Sequence, residues 1–319
     1  MTIDFTIFYK EKREPLDGWC SELGWDLFIS AFNTTQRVRQ VFDQVNAAEK
    51  RWLVHHEYGF SPAELPSSGP VFAPRTALRE DEYIQTFLSE CCPDVAGKSL
   101  CVDISGFMRP HLVFLVRALS ALGVRRFDAI YSEPNQYLRR EQTVFSGTQV
   151  QDVRPIAGYE GFHEPALTSD SDLMIIGAGY EDHLMSAAAY AKTNARKLEL
   201  FGFPPLQPDF YQENRLNASR AAEAVSPINE GRPLFAPSSD PFVTASVLQR
   251  TVLDQKSRGA KNIYLCPLSS RPQALGFALY YLYEAIDSPI SIIYPFSQRY
   301  AQDSANGVAR IWLYSVELP

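Results

Sequence analysis

A chain of 319 residues, 45% apolar and 21% charged, has the make-up of a globular protein able to bury a core, and it exceeds the usual span of a single one. Its formal net charge of -7 argues against a broad electrostatic embrace of DNA or RNA, because nonspecific nucleic-acid affinity comes from basic residues that release phosphate counterions. The cysteines Cys20, Cys91, Cys92, Cys101 and Cys266 are scattered and form no C-x-x-C pair, which argues against a disulfide framework and a thiolate zinc site.

The start, Met1-Thr2-Ile3-Asp4-Phe5, has no basic region followed by a long apolar run, and no stretch approaches the ~20 apolar residues that span a bilayer. A cytoplasmic protein without a membrane association is expected. In chain order, an apolar strand from Leu27 to Ala31 precedes a helix whose Val38, Val41, Phe42 and Val45 follow the i, i+3, i+4, i+7 spacing of one buried face. A second strand, Arg51-Trp52-Leu53-Val54-His55, ends at the turn Gly59-Phe60-Ser61-Pro62. A Pro-rich connector leads to a helix from Glu82 to Cys91. A third strand, Ser99 to Ile104, runs through Arg109-Pro110 into a helix from about His111 to Leu122, and a fourth strand covers Phe127 to Tyr131.

The series then recurs. Strands over Leu173 to Gly177, Lys197 to Leu200, Ile263 to Pro267 and Ile290 to Tyr294 alternate with helices over about Thr244 to Lys256 and Gln273 to Ile286. The run from Val308 to Tyr314 reads as an antiparallel edge strand. Near-continuous apolar strands alternating with helices define an α/β protein whose mostly parallel sheets are flanked by helices.

The recurrence is also literal. A shift of 163 residues carries Pro70-Val71-Phe72-Ala73-Pro74 onto Pro233-Leu234-Phe235-Ala236-Pro237, Ile130-Tyr131 onto Ile293-Tyr294, and Tyr137 onto Tyr300. Arg109-Pro110 is answered by Arg271-Pro272 at a shift of 162. Ordered matches at near-constant spacing indicate an internal duplication into two tandem Rossmann-like units, residues 1–160 and 161–319. Smaller shifts further upstream place extra residues, a loop or small helix, near 206–231 of the second copy.

Ligands of open α/β sheets bind beyond the carboxyl ends of the strands, where helix N-termini offer unpaired N–H groups. Three loops meet that description. The first runs from Ser105 to Pro110 and is answered by Leu268 to Pro272. Its arginines, Arg109 and Arg271, with Ser105, Ser269 and Ser270, suit a phosphate, and equally suit a helix start with a surface arginine. The pairs Arg125-Arg126 and Arg139-Arg140 are further material for a local basic cleft, or solvated surface charge. The second loop pairs Tyr131 and Tyr137 with Tyr294 and Tyr300, which can stack on a base or fill a core. Its Glu133 has no counterpart in copy two. The third, Gly177-Ala178-Gly179-Tyr180-Glu181-Asp182-His183, opens like a dinucleotide fingerprint but lacks its third glycine. Glu181, Asp182 and His183 are candidates for acid–base work, and acids at a helix start are also ordinary capping residues.

His55-His56-Glu57 lacks the i, i+4 spacing of a helical zinc pair and has no cysteine nearby, and neither a G-x-S-x-G elbow nor a G-x-x-x-x-G-K-[ST] loop is present. No metal and no cofactor is expected. Two fused Rossmann-like units with Ser105, Arg109, Ser269, Ser270 and Arg271 at their ligand edges resemble CARF and SAVED domains, sensors of cyclic oligonucleotides in bacterial anti-phage systems. The resemblance implies a small anionic ligand and, since no effector domain is evident, a separate effector protein as partner. Three readings stand. The leading one is a binding module in which Arg109 and Arg271 anchor phosphate across a pseudo-twofold cleft. The others are a structural subunit of a multiprotein assembly, and an enzyme acting on a nucleotide or phosphosugar.

Overall fold

The computed structural model describes residues 3–15, 23–137, 150–162, 171–179, 181–207, 210–224, 232–297, 299–300 and 305–319. Cys20, Arg139, Arg140 and Tyr180 lie outside them, as does the side chain of Tyr137. The first repeat contains β1 (Lys10–Arg13), β2 (Trp25–Ala31), α1 (Gln36–Gln44), β3 (Ala47–Leu53), β4 (Val71–Phe72), α2 (Glu80–Cys91), β5 (Leu100–Asp103), α3 (Arg109–Ala121), β6 (Arg126–Glu133), β7 (Gln136–Tyr137) and β8 (Val150–Pro155). The second contains β9 (Leu173–Gly177), α4 (Asp182–Ala191), β10 (Arg196–Gly202), α5 (Phe210–Ala224), β11 (Leu234–Ala236), α6 (Pro241–Ser257), β12 (Ile263–Pro267), α7 (Arg271–Glu284), β13 (Ile290–Ser297), β14 (Ala305–Asn306) and β15 (Arg310–Glu317). No helix among the described residues is long and apolar enough to cross a membrane.

Two mostly parallel sheets result, ordered β1-β15-β6-β5-β2-β3-β4 and β11-β10-β9-β12-β13-β8. In both, the five parallel strands follow the Rossmann order 3-2-1-4-5, and an antiparallel strand lies past the fifth. The match in strand order extends the internal repeat from sequence to topology.

The outermost of these matching strands are exchanged. β8 follows β6 along the chain, yet it pairs with β13, with Pro155 opposite Ile293. β15 follows β13, yet it pairs with β6, with Trp312 opposite Tyr131. The two compact units are accordingly not contiguous: Phe8–Gly147 groups with Gln298–Pro319, and Met1–Ile7 with Thr148–Ser297. A division at 160/161, as the repeat alone suggests, leaves both exchanges out.

The expectation of an edge strand over Val308 to Tyr314 needs correction. β15 lies between β6 and β1, and Ile311 on one face and Tyr314 and Val316 on the other are fully buried there, because both flanks and both faces are covered. The extra residues of the second copy include a fifteen-residue helix, α5, between β10 and β11. Both α3 and α7 start at their arginine, two residues earlier than the apolar periodicity suggests, because proline at the second helical position needs no N–H partner.

Six of the seven β2 residues are buried, as a parallel strand covered on both faces requires. In the core beside it, Phe42 of α1 stacks on Trp52 of β3 with ring centroids 3.7 Å apart, and Phe32 meets Trp52 edge-on. In the second unit Gly276 lets α6 and α7 approach closely, since a Cβ there would stand 2.3 Å from the Pro241 carbonyl oxygen.

Candidate functional site

Between β2 and β5, where the strand order of the first unit reverses, the expected crevice is closed by the chain itself. A Cβ on Gly106 would lie 1.8 Å from the Ala31 carbonyl oxygen, so only glycine lets the loop after β5 rest on the end of β2. Beneath it lies a buried polar network. Ser30 donates to Asp103 Oδ2, the Ser105 N–H donates to Asp103 Oδ1, and Ser105 Oγ accepts the Ser132 N–H at 2.8 Å. Arg37, 1% exposed, donates to the Ser132 carbonyl at 2.7 Å. Burial raises the Asp103 carboxyl above the usual range, against the pull of Ser105, Ser30 and the Arg37 charge. The same closure recurs in the second unit, where a Cβ on Gly179 would lie 2.2 Å from the Leu268 carbonyl oxygen, and one on Gly177 2.7 Å from Ser269 Oγ.

This closure decides where the residues singled out from sequence stand. Ser105 is inside the network, Ser269 is packed on Gly177, and Tyr131 and Tyr294 are core side chains, 1% and 0% exposed. Ser270 is the N-cap of α7 and accepts the Gln273 N–H. Arg109 and Arg271 are half-buried first residues of α3 and α7. Glu181 precedes α4, and Asp182, its first residue, accepts the His183 N–H at 3.0 Å, the arrangement of helix-start residues. Arg125 and Arg126 donate to the Pro319 carbonyl and the Ser315 hydroxyl.

Glu133 is a buried carboxylate at the end of β6. It accepts the Trp312 Nε1–H at 2.6 Å and faces Arg310 Nη1 at 3.4 Å. Burial raises its pKa, opposed by the Trp312 hydrogen bond and then by Arg310. As pH falls the folded state therefore takes up this proton before the unfolded state does, and stability gains from Glu133 on acidification. Glu133→Gln, which keeps an acceptor for Trp312, is expected to change stability by less than about 1 kcal/mol and to flatten that gain. Glu133→Ala is expected to cost about 1–3 kcal/mol. Urea titrations across the acid range check both.

An open cleft lies further out, beyond β3 and β4, wholly within the unit that joins Phe8–Gly147 to Gln298–Pro319. Its volume is about 870 Å³, and its walls carry His56, Glu57, Tyr58, Phe60, Arg75, Arg299 and Tyr300. The Tyr300 N–H donates to the Glu57 carbonyl at 3.0 Å, which holds the two arms of the cleft together. Arg75 and Arg299 are exposed, and neither forms an ion pair with a described residue. Among the described residues, Tyr300 alone of the ligand candidates expected from the sequence lines this cleft.

At the base of the cleft the end of β3 meets the start of α3. His55, fully buried, accepts the Met108 N–H at Nε2, 3.2 Å away, and its ring centroid is 4.5 Å from that of His111. His111 is the third residue of α3 and is 3% exposed, with Nε2 3.9 Å from Glu57 Oε1. Tyr83 of α2 stacks on His55, meets His111 edge-on and donates to the Val54 carbonyl at 2.6 Å. Its hydroxyl is held well above the usual tyrosine range by burial and then by the Glu57 charge. Sequence reasoning placed His55 and Glu57 in one run and His111 at a helix boundary, and joined them to nothing. One signal was present: the repeat that matches Arg109-Pro110 to Arg271-Pro272 sets His111 against Gln273, so the histidine is particular to copy one.

The fold is that of a duplicated Rossmann-like α/β protein, with an open cleft in the unit built from Phe8–Gly147 and Gln298–Pro319. No family model matches the chain, and neither a curated protein nor a solved structure does.

Proposed function

We propose that the chain is a ligand-binding module and that the cleft beyond β3 and β4 takes a small phosphate-bearing anion of the nucleotide class. The observation that carries this reading is the gathering of Arg75, Arg299, Phe60 and Tyr300 around one cleft in a chain of net charge -7. Guanidinium groups offer planar paired donors to phosphate, and aromatic faces stack on any base. Placing the phosphate contacts on Arg75 and Arg299 moves them away from Arg109, which does not line the cleft. The resemblance to cyclic-oligonucleotide sensors supports the same ligand class. On this reading the protein is a cytoplasmic sensor subunit that acts through a separate effector protein.

A thermal-shift screen against mono-, di- and cyclic oligonucleotides tests the proposal. At a ligand concentration of 100 times Kd the expected stabilisation is about 2.7 kcal/mol, a shift of a few degrees, and it should disappear in Arg75→Ala and Arg299→Ala. The same shift in the double variant, or none in the wild type, overturns it.

A further inference from the structure

From the cluster at the base of the cleft we infer that His55, Glu57 and His111 bind one divalent transition-metal ion of the zinc class. The donor atoms, one from each side chain, all lie within 4.8 Å of one another. Two imidazoles and one carboxylate are a donor set that open zinc sites use, and it differs from the oxygen-rich cages of calcium and magnesium. The elements around it dictate the grouping. The turn that follows β3, a short 3-10 helix over His56–Tyr58, delivers His55 and Glu57 two residues apart, and the first turn of α3 delivers His111.

The two imidazoles are almost fully buried, while the Glu57 carboxylate reaches them from a partly exposed position. The zinc-to-ligand distance of about 2.0–2.2 Å requires the three atoms to draw in by a few tenths of an ångström to an ångström. Three protein ligands leave at least one coordination position, and since His55 and Glu57 line the cleft, that position faces it and is open to a water or a ligand oxygen. The site stands on geometry separate from that of the arginines, and it holds whether or not a nucleotide enters.

The second repeat supplies a control. The position matching His111 carries Gln273, which donates to the Ala236 carbonyl and so serves the fold there. His111→Gln is therefore a substitution that the same helix start already accommodates elsewhere in the chain. The experiment is a titration of the chelator-treated full chain with Zn²⁺ by calorimetry and with Co²⁺ by visible absorption. One equivalent is expected to bind, with cobalt ligand-field bands, and affinity should fall at least about tenfold in both Glu57→Gln and His111→Gln. Absence of binding by the wild type, or wild-type affinity in Glu57→Gln and His111→Gln, overturns the inference. Metal binding retained in Arg75→Ala with nucleotide response lost, or the reverse in Glu57→Gln, separates this site from the anion site.

Discussion

Gly106→Ala is expected to destabilise the protein by about 3 kcal/mol or more, at or beyond the upper end of what overpacking costs. The added methyl group would stand 1.8 Å from the Ala31 carbonyl oxygen, and that obstacle is backbone of a central strand rather than the end of a flexible side chain. Relief requires the loop after β5 to lift from β2, which opens the Asp103 network to water. Gly97→Ala is the matched control, because a Cβ there meets nothing within 4 Å and the backbone is not left-handed. Its effect should stay within about 0.5 kcal/mol. Urea unfolding of both variants decides the matter: equal midpoints would show that the close approach of Gly106 to β2 does not constrain the fold.

Arg37→Ala carries a penalty for a different reason. The guanidinium is 1% exposed, donates to the Ser132 carbonyl, and lies close enough to the buried Asp103 to lower its pKa. Removing the guanidinium leaves the buried Ser132 carbonyl without this donor, an effect of about 1–3 kcal/mol. The direction with pH follows from Asp103. Burial already raises its folded pKa above the unfolded value, and loss of Arg37 raises it further. The folded state then gains the proton first as pH falls, so the deficit of Arg37→Ala should shrink on acidification. In the Arg37→Ala background, Asp103→Asn should recover part of the loss, which a double-mutant cycle reads as coupling. A deficit that is constant with pH and strictly additive with Asp103→Asn would contradict the linkage.

The strands β2, β3, β5, β6, β9, β10, β12 and β13 and most of the helices between them were legible because they are written in apolar runs or periods, and the duplication because short anchors such as Phe72-Ala73-Pro74 and Phe235-Ala236-Pro237 kept their spacing. Strand pairing was not. Nothing in Val150-Gln151-Asp152-Val153-Arg154-Pro155 names β13 as its neighbour, and its mixed polarity hid it as a strand. The ligand edge was legible in place but not in detail. Loops after β5 and β12 were correctly set at the carboxyl edge, yet whether Ser105 or Ser269 faces solvent depends on whether glycines such as Gly106, Gly177 and Gly179 let neighbouring segments close over them. His111 and Glu57 are 54 positions apart in the chain, and only the meeting of the turn after β3 with α3 brings them within reach.

The exchange of β8 and β15 also sets an order of events during synthesis. β6 leaves the ribosome with an open edge and waits for β15 until the whole second repeat has been made, 177 residues after Glu133 for its register partner Arg310. Meanwhile β8, the strand that matches β15 in the repeat, is already present. The two differ in what they offer: β15 brings Ile311, Leu313, Tyr314 and Val316 to burial, whereas β8 carries Asp152 and Arg154 and has no fully buried residue. An early pairing of the nascent β8 with β6 would thus leave the apolar edge poorly covered and readily displaced, so the late strand wins on side-chain content rather than on arrival time.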